Sequence, residues 1–239
     1  MATAQDPYGR AQEQITELAQ RPLHGRKDTM NQWRQLALLL AGLARMAAFP
    51  ATANAQDEFA SDAARLVTAL KLDAGQTVAD IGAGRGQLTV ALAREVGPSG
   101  RVYATELDSA RLRDIRQATD AAGLENVSVI EAHATRTNLP ERCCDALVLR
   151  RVYHHFDNPQ VMNASMRQSL KPGGLLAVLD FDPDSAESPD PGNRDTGDQH
   201  GVTSATVVRE LGQAGFEVVA VEEGTRAGRY MVVVRRPSD

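Results

Sequence analysis

The sequence predicts a single α/β domain in which a parallel β-sheet is flanked by helices on both faces. From residue 76 onward, short β-rich segments alternate with segments of helical periodicity, which is the pattern of parallel strands joined by crossover helices. The length of 239 residues suits one such domain and leaves little room for a second.

Seven strands and five helices account for the chain after residue 57. The predicted strands cover residues 76–81, 101–106, 127–131, 145–150, 175–181, 216–222 and 230–236. The predicted helices cover residues 58–70, 87–96, 109–122, 159–170 and 204–214. Asp108 and the pair Thr203 and Ser204 stand where N-caps are expected.

The composition argues against several classes of partner. The chain has 26 basic and 31 acidic residues and a formal net charge of -5, so it offers no general field for a polyanion, and nucleic acid is not an expected partner. The two cysteines, Cys143 and Cys144, are adjacent. They cannot form a disulfide framework or a zinc site on their own, and we predict that they are small core residues. No metal-ligand spacing is visible, and no metal is expected.

A glycine-rich loop, DIGAGRG at residues 80–86, follows the first predicted strand and precedes a helix. Its three glycines permit a sharp turn and a close approach of the backbone to a ligand, which indicates a nucleotide-type site. A dinucleotide fingerprint needs its third glycine where Gln87 stands, one residue after Gly86. Asp80 precedes the loop, and its carboxylate suits a cationic ligand better than a pyrophosphate. Glu106, at the end of the second strand, is placed to accept two ribose hydroxyls.

These motifs resemble the class I S-adenosylmethionine-dependent methyltransferases over roughly residues 58–236. The resemblance is carried by VADIGAGRG, Glu106, the segment NLPERCCDALVL and the turn LKPGG. With VYHHF, the chain is similar to a group of bacterial methyltransferase-like proteins. The resemblance implies a Rossmann-like, seven-stranded, mostly parallel sheet whose last strand is antiparallel and lies beside the sixth. It also implies methyl transfer from S-adenosylmethionine to an acceptor, which we expect to be a small molecule.

The resemblance assigns cofactor-binding roles position by position. The residues that would line the methionine and ribose part are Asp80, Gly82, Ala83, Gly84 and Gly86. Glu106 would hold the ribose hydroxyls, and Leu107 would lie against the adenine. Many members have an acid after the third strand that meets the adenine amino group, but this chain has His133 there, whose neutral ring nitrogen can accept that bond.

The acceptor is expected at the loops after the fourth and fifth strands, because ligands of parallel sheets lie beyond the carboxyl ends of the strands. Methyl transfer needs an aligned nucleophile and, for oxygen or nitrogen, removal of a proton. The catalytic candidates are Tyr153, His154 and His155, although a histidine here also fits a packing role. Arg150 or Arg151 would hold the cofactor carboxylate or an acidic substrate. His200, at the end of the polar insert 182–202, is a further substrate-side candidate.

Two other functions remain open from the sequence. An NAD-dependent oxidoreductase shares the fold and the acid at the second strand, but it requires the third glycine that is missing. A binding module that keeps the cofactor pocket without transferring a methyl group is compatible with the same loop.

The N-terminal arm, residues 1–55, precedes the methyltransferase domain at residues 56–239. Residues 30–55 follow the order of a secretory signal peptide, with a methionine, an apolar run and small residues ending at Ala55. They also fit a helix packed beside the sheet, and the run is too interrupted to span a membrane. Because S-adenosylmethionine is made in the cytoplasm, a cytoplasmic location is favoured. Export is the alternative if translation starts at Met30.

Overall fold

The computed structural model describes residues 50–184, 191, 200–224 and 228–238, with side chains from residue 58. The chain divides into a unit of residues 1–56 and a unit of residues 57–239, and every side chain discussed below belongs to the second. Residues 30–49 of the predicted signal peptide, and most of the insert 182–202, lie outside the described residues. Within the described ranges, no helix is both long enough and apolar enough to cross a membrane.

The described elements follow the predicted alternation closely. The strands are β1 (Thr77–Ile81), β2 (Arg101–Glu106), β3 (Val127–Glu131), β4 (Cys144–Arg150), β5 (Leu170–Phe181), β6 (Glu217–Glu223) and β7 (Arg229–Arg235). The helices are α1 (Pro50–Leu70), α2 (Gln87–Val96), α3 (Ser109–Ala121), α4 (Pro159–Ser169) and α5 (Ser204–Gln213). The caps also agree, since the side chain of Asp108 accepts two backbone N–H groups of α3 and that of Thr203 accepts one of α5.

All seven strands form one sheet in the order β3-β2-β1-β4-β5-β7-β6. The first five strands in the chain are parallel to one another, whereas β7 is antiparallel to both β5 and β6. The predicted Rossmann-like sheet with an antiparallel last strand beside the sixth is therefore confirmed. The last strand is almost wholly buried because it lies between two others, which accounts for its continuous apolar run.

The turn predicted at residues 170–174 is built into the start of β5. The strand pairing passes from Cys144 with Leu170 to Ala146 with Leu175, so two steps on β4 oppose five on β5. Gly173 has a φ of 78° and donates its N–H to the carbonyl of Arg236. The Pro-Gly-Gly segment therefore forms a bulge of several residues within β5, and not a separate turn.

One apolar core lies on each face of the sheet. Residues of α4 and α5 pack on one face, and residues of α1 and α2 pack on the other. Cys144 is fully buried in the first of these cores, as predicted. The structure also joins its Sγ to that of Cys143 in a disulfide, a bond that the sequence analysis did not anticipate.

Candidate cofactor and acceptor site

A cavity of about 730 Å³ opens at the carboxyl ends of the central strands, a volume typical of small-ligand sites. It brings together eight of the nine predicted cofactor residues: Asp80, Gly82, Ala83, Gly84, Glu106, Leu107, His133 and Arg150. Gly86 is the exception, because it lies behind the loop against α3. On the acceptor side, His155 lines the cavity and Tyr153 and His154 do not.

The three loop glycines have distinct structural reasons. All have a positive φ, at 68° for Gly82, 57° for Gly84 and 81° for Gly86. A Cβ on Gly82 would lie 2.7 Å from a methyl carbon of Val152, and one on Gly86 would lie 3.0 Å from the Cα of Ile115. A Cβ on Gly84 would meet nothing within 4 Å. Two glycines therefore permit close packing of the loop, and the middle one leaves open space beside the cavity.

Glu106 braces this loop through both carboxylate oxygens. Oε2 accepts the backbone N–H of Gly84 at 2.9 Å, and Oε1 accepts the backbone N–H of Leu107 at 2.8 Å. Each oxygen keeps a further lone pair, so the carboxylate can still accept two hydroxyl groups of a ligand. Leu107 beside it is 55% exposed, which gives the cavity an apolar surface suited to a purine ring.

Asp80 places a buried carboxylate at the base of the same cavity. Its side chain is almost inaccessible to solvent, and the hydroxyl of Thr89 on α2 donates to Oδ2 at 2.7 Å. Burial raises the pKa of Asp80 to about 6, because the charged form loses solvation. An ionised carboxylate in such a place favours a cationic ligand group.

Arg150 contacts helix α1, which precedes the glycine loop in the chain. Its Nε and a terminal nitrogen lie 2.9 and 2.7 Å from Oδ2 of Asp62, and its guanidinium lies 5.1 Å from the centre of the Phe59 ring. Phe59 also lines the cavity. Asp62 and Phe59 were not predicted from the sequence, because 88 residues separate Asp62 from Arg150 and no local motif links them.

A second set of ion pairs, centred on Glu58, also involves helix α1. Arg151, which has a φ of 58°, and Arg229 both pair with Glu58 of α1. Burial opposes ionisation of Glu58, but its bond to Arg229 and the charge of Arg151 hold its pKa below the ordinary value. Arg151 lines the cavity as well, so α1 positions both arginines that the sequence analysis singled out.

His133 lies at the far edge of the cavity, where the adenine contact was predicted. Its backbone exchanges hydrogen bonds with that of Arg136, at 2.9 and 3.1 Å, and the preceding residue, Ala132, donates its N–H to the carbonyl of Glu106 at 2.9 Å. These bonds hold the loop after β3 next to the end of β2. The exposed imidazole therefore lies on the same side of the sheet as Leu107.

Tyr153 does not reach the cavity, and the structure corrects its predicted catalytic role. The side chain is fully buried in the core. Its hydroxyl donates to Oε2 of Glu210 at 3.1 Å and accepts from Nδ2 of Asn163 at 2.7 Å. Residues Tyr153–His155 form a 3-10 turn, which has three residues per turn and so directs successive side chains to different sides.

Tyr153→Phe is expected to lower the free energy of unfolding by roughly 1–3 kcal/mol, because Glu210 and Asn163 lose a buried partner. Cofactor affinity should stay within about twofold of the wild type. Urea denaturation and calorimetric titration with S-adenosylhomocysteine measure the two quantities. Loss of affinity without loss of stability would return Tyr153 to the site.

The two histidines of the turn have different surroundings. His154 is 8% exposed, and its Nδ1 lies 2.6 Å from Oδ1 of the fully buried Asp180. His155 lines the cavity, and its Nδ1 lies 3.0 Å from Nε2 of His200. Partial burial and the neighbouring histidines lower the pKa of His155, so its ring is neutral near pH 7. His154 is therefore buried outside the cavity, whereas His155 lines it.

Comparison with known proteins agrees with this geometry. Residues 79–178 match the family model for a methyltransferase domain. Over 108 residues the chain is 32% identical to the ubiquinone/menaquinone biosynthesis C-methyltransferase UbiE of Enterobacter sp. (strain 638), a match covering 45% of this chain and 43% of that protein. The matched segment thus spans less than half the length of this relative.

Solved structures share the fold at low sequence identity. A SAM-dependent methyltransferase from Aquifex aeolicus has a TM-score of 0.62 and 23% identity, covering 73% of this chain and 89% of that chain. The [4+2]-cyclase SpnF has a TM-score of 0.66 and 17% identity, covering 74% and 81%.

The sheet order and the cavity at its carboxyl edge define a Rossmann-like, cofactor-binding domain. Through residues 79–178, which match the methyltransferase-domain model, the chain is similar to the class I S-adenosylmethionine-dependent methyltransferases, and S-adenosylmethionine is the cofactor that this similarity indicates. The residues present fit that cofactor. Asp80 supplies a buried carboxylate for a cationic group, Glu106 supplies acceptors for hydroxyls, and Leu107 supplies an apolar surface.

Proposed function

We propose that the protein transfers the methyl group of S-adenosylmethionine to a small-molecule acceptor that enters the cavity beside His155. The observation that carries this proposal is the continuity of the cavity. One space is lined by the glycine loop and Glu106 at one end and by His155 and Asp157 at the other. A donor held at the first end and an acceptor at the second would be brought together by binding alone, which is the main requirement of an in-line displacement.

The cofactor supplies an activated methyl group, and the chain's own residues supply binding and orientation. Glu106 holds the loop in place and accepts hydrogen bonds from the ribose hydroxyls, while the carboxylate of Asp80 attracts the positive charge of the cofactor's methionine part. Gly84 leaves room for the ligand next to the backbone. In this proposal the carboxylate of Glu106 has two roles, because it holds the loop through Gly84 and would also accept the hydroxyl groups of the cofactor.

The acceptor end of the cavity is lined by groups that can remove a proton from the acceptor molecule. An oxygen or nitrogen nucleophile must lose a proton on transfer. His155 has a lowered pKa, so its neutral ring offers a lone pair, and Asp157 lines the same cavity. The acceptor is therefore a molecule small enough to share about 730 Å³ with the cofactor.

Glu106→Ala is the variant that tests the cofactor role. Loss of hydrogen bonds to a charged group costs about 1.5–3 kcal/mol, so the dissociation constant for S-adenosylhomocysteine should rise roughly 10- to 150-fold. Calorimetric titration measures it. The control is Glu131→Ala, which removes the acid paired with Glu106 on the neighbouring strand, an exposed residue that does not line the cavity.

The wild-type protein should bind S-adenosylhomocysteine and give no response to NAD. An acceptor screen that detects S-adenosylhomocysteine as product then separates a transferase from a module that binds without turnover. Binding of NAD alone, or equal affinity in the Glu106 and Glu131 variants, would refute the proposed cofactor site.

A further inference from the structure

Three histidines from two separate loops meet beside the acceptor end of the cavity, and His155 is the one of the three that lines it. His154 and His155 follow β4, and His200 precedes α5. One ring nitrogen from each lies within 4.8 Å of the others, and the ring centres are 4.0 to 4.8 Å apart. We propose that these three residues bind one divalent transition-metal ion of the zinc class. No metal was expected from the sequence, which shows no metal-ligand spacing; 45 residues separate His155 from His200.

Two of the three nitrogen positions are close to those of a tetrahedral site. Zinc lies about 2.0–2.1 Å from histidine nitrogens, so two such ligands are roughly 3.3 Å apart. His155 Nδ1 and His200 Nε2 are 3.0 Å apart and need to separate by only a few tenths of an ångström. The nitrogen of His154 lies within 4.8 Å of both, so it must approach them by up to about 1.5 Å to share the ion at the same spacing.

Asp180 prepares His154 for this role. The carboxylate is fully buried, and Oδ1 lies 2.6 Å from Nδ1 of His154 while accepting the backbone N–H of Phe181 at 3.1 Å. Oδ2 accepts the backbone N–H of His154 at 3.3 Å. These bonds favour a proton on Nδ1 and leave the lone pair on Nε2, which is the orientation that a carboxylate imposes on metal-bound histidines.

Three protein ligands leave the fourth position of a zinc-class ion open, as in catalytic rather than structural sites. Since His155 lines the cavity, the open position faces the acceptor end. With the ion bound, His155 would be a ligand and not a base, and an acceptor hydroxyl or thiol at the open position would lose its proton more readily because the ion stabilises the anion. This role rests on the proposed methyl transfer, whereas binding of the ion does not.

The test uses the full chain, freed of metal with a chelator and titrated with Zn²⁺ against a chromophoric competitor. We expect one Zn²⁺ per wild-type chain, a loss of affinity of about 100-fold or more in His200→Ala, and a loss of about 10- to 100-fold in Asp180→Asn, the usual effect of removing an outer-shell partner. His133→Ala removes a histidine outside the cluster and should leave zinc affinity unchanged. The visible absorption of the Co²⁺-loaded protein should change in the first two variants only.

Thermal unfolding of each metal-free variant distinguishes loss of ligands from loss of fold, and His200 lies near the surface, where its replacement is tolerated best. Failure of the wild type to bind Zn²⁺, or equal affinity in wild type and His200→Ala, would overturn the proposal. Because the titration contains neither cofactor nor acceptor, its failure leaves the methyl-transfer proposal standing. Conversely, a protein that binds zinc but transfers no methyl group would refute only the latter.

Discussion

Gly86→Ala is expected to lower the free energy of unfolding by roughly 2–4 kcal/mol. The φ of 81° costs a residue with a side chain about 1–2 kcal/mol. The new Cβ would also lie 3.0 Å from the Cα of Ile115, a backbone atom of α3 that cannot rotate away, and such overpacking costs about 1–3 kcal/mol. Urea denaturation measures the change.

The neighbouring glycine provides a matched control. Gly84 also has a positive φ, but a Cβ there meets nothing within 4 Å. Gly84→Ala should therefore cost only the backbone penalty of about 1–2 kcal/mol, while its methyl group occupies space beside the cavity and weakens binding of S-adenosylhomocysteine. Equal destabilisation by the two substitutions would show that contact with α3 does not matter.

The second large effect is a pH dependence of stability that comes from Asp80. The folded-state pKa of about 6 lies above the ordinary value of 3.8. Between these values the folded protein holds a proton that the unfolded chain has released, so stability falls as the pH rises through this window. The difference corresponds to up to about 3 kcal/mol above pH 6.

Asp80→Asn removes this titration and should raise the free energy of unfolding at pH 7.5 by up to about 3 kcal/mol. The gain should vanish below about pH 4, where the aspartate is protonated in both states. Affinity for S-adenosylhomocysteine should fall, since the ammonium group of the ligand's homocysteine part loses the negative charge that pairs with it. Asp120→Asn, at an exposed position of α3, controls for the change in net charge. The same pH slope in wild type and Asp80→Asn would contradict the assignment.

The sequence predicted those parts of the fold that depend on local signals. The pattern of apolar residues gave most strand limits to within one residue, and Asp108 and Thr203 located two helix starts through their caps. The bulge at residues 170–174 was missed, because the same Pro-Gly-Gly sequence satisfies both a turn and a bulge. Its pairing depends on β4 and on the carbonyl of Arg236.

The site divides in the same way. The glycine loop and Glu106 were recognisable because their spacing follows from backbone geometry. Thr89, Asp62 and Asp180 were missed, since each acts on its partner through contacts that only the folded chain creates. Tyr153 was placed on the wrong side because a three-residue turn carries too little periodicity to show which side chain faces inward.

Helix α1 has a consequence for the charge of the cavity. The family match begins at residue 79, yet α1 ends at Leu70 and supplies the acids that hold Arg150 and Arg151. The electrostatics of one wall of the cavity are therefore set by residues that precede the segment matched by the family model. Changes of charge at Glu58 or Asp62 alone would alter which charged groups the cavity admits, while the strands and the glycine loop stay as they are. The matched segment therefore does not by itself determine the charge of the cavity.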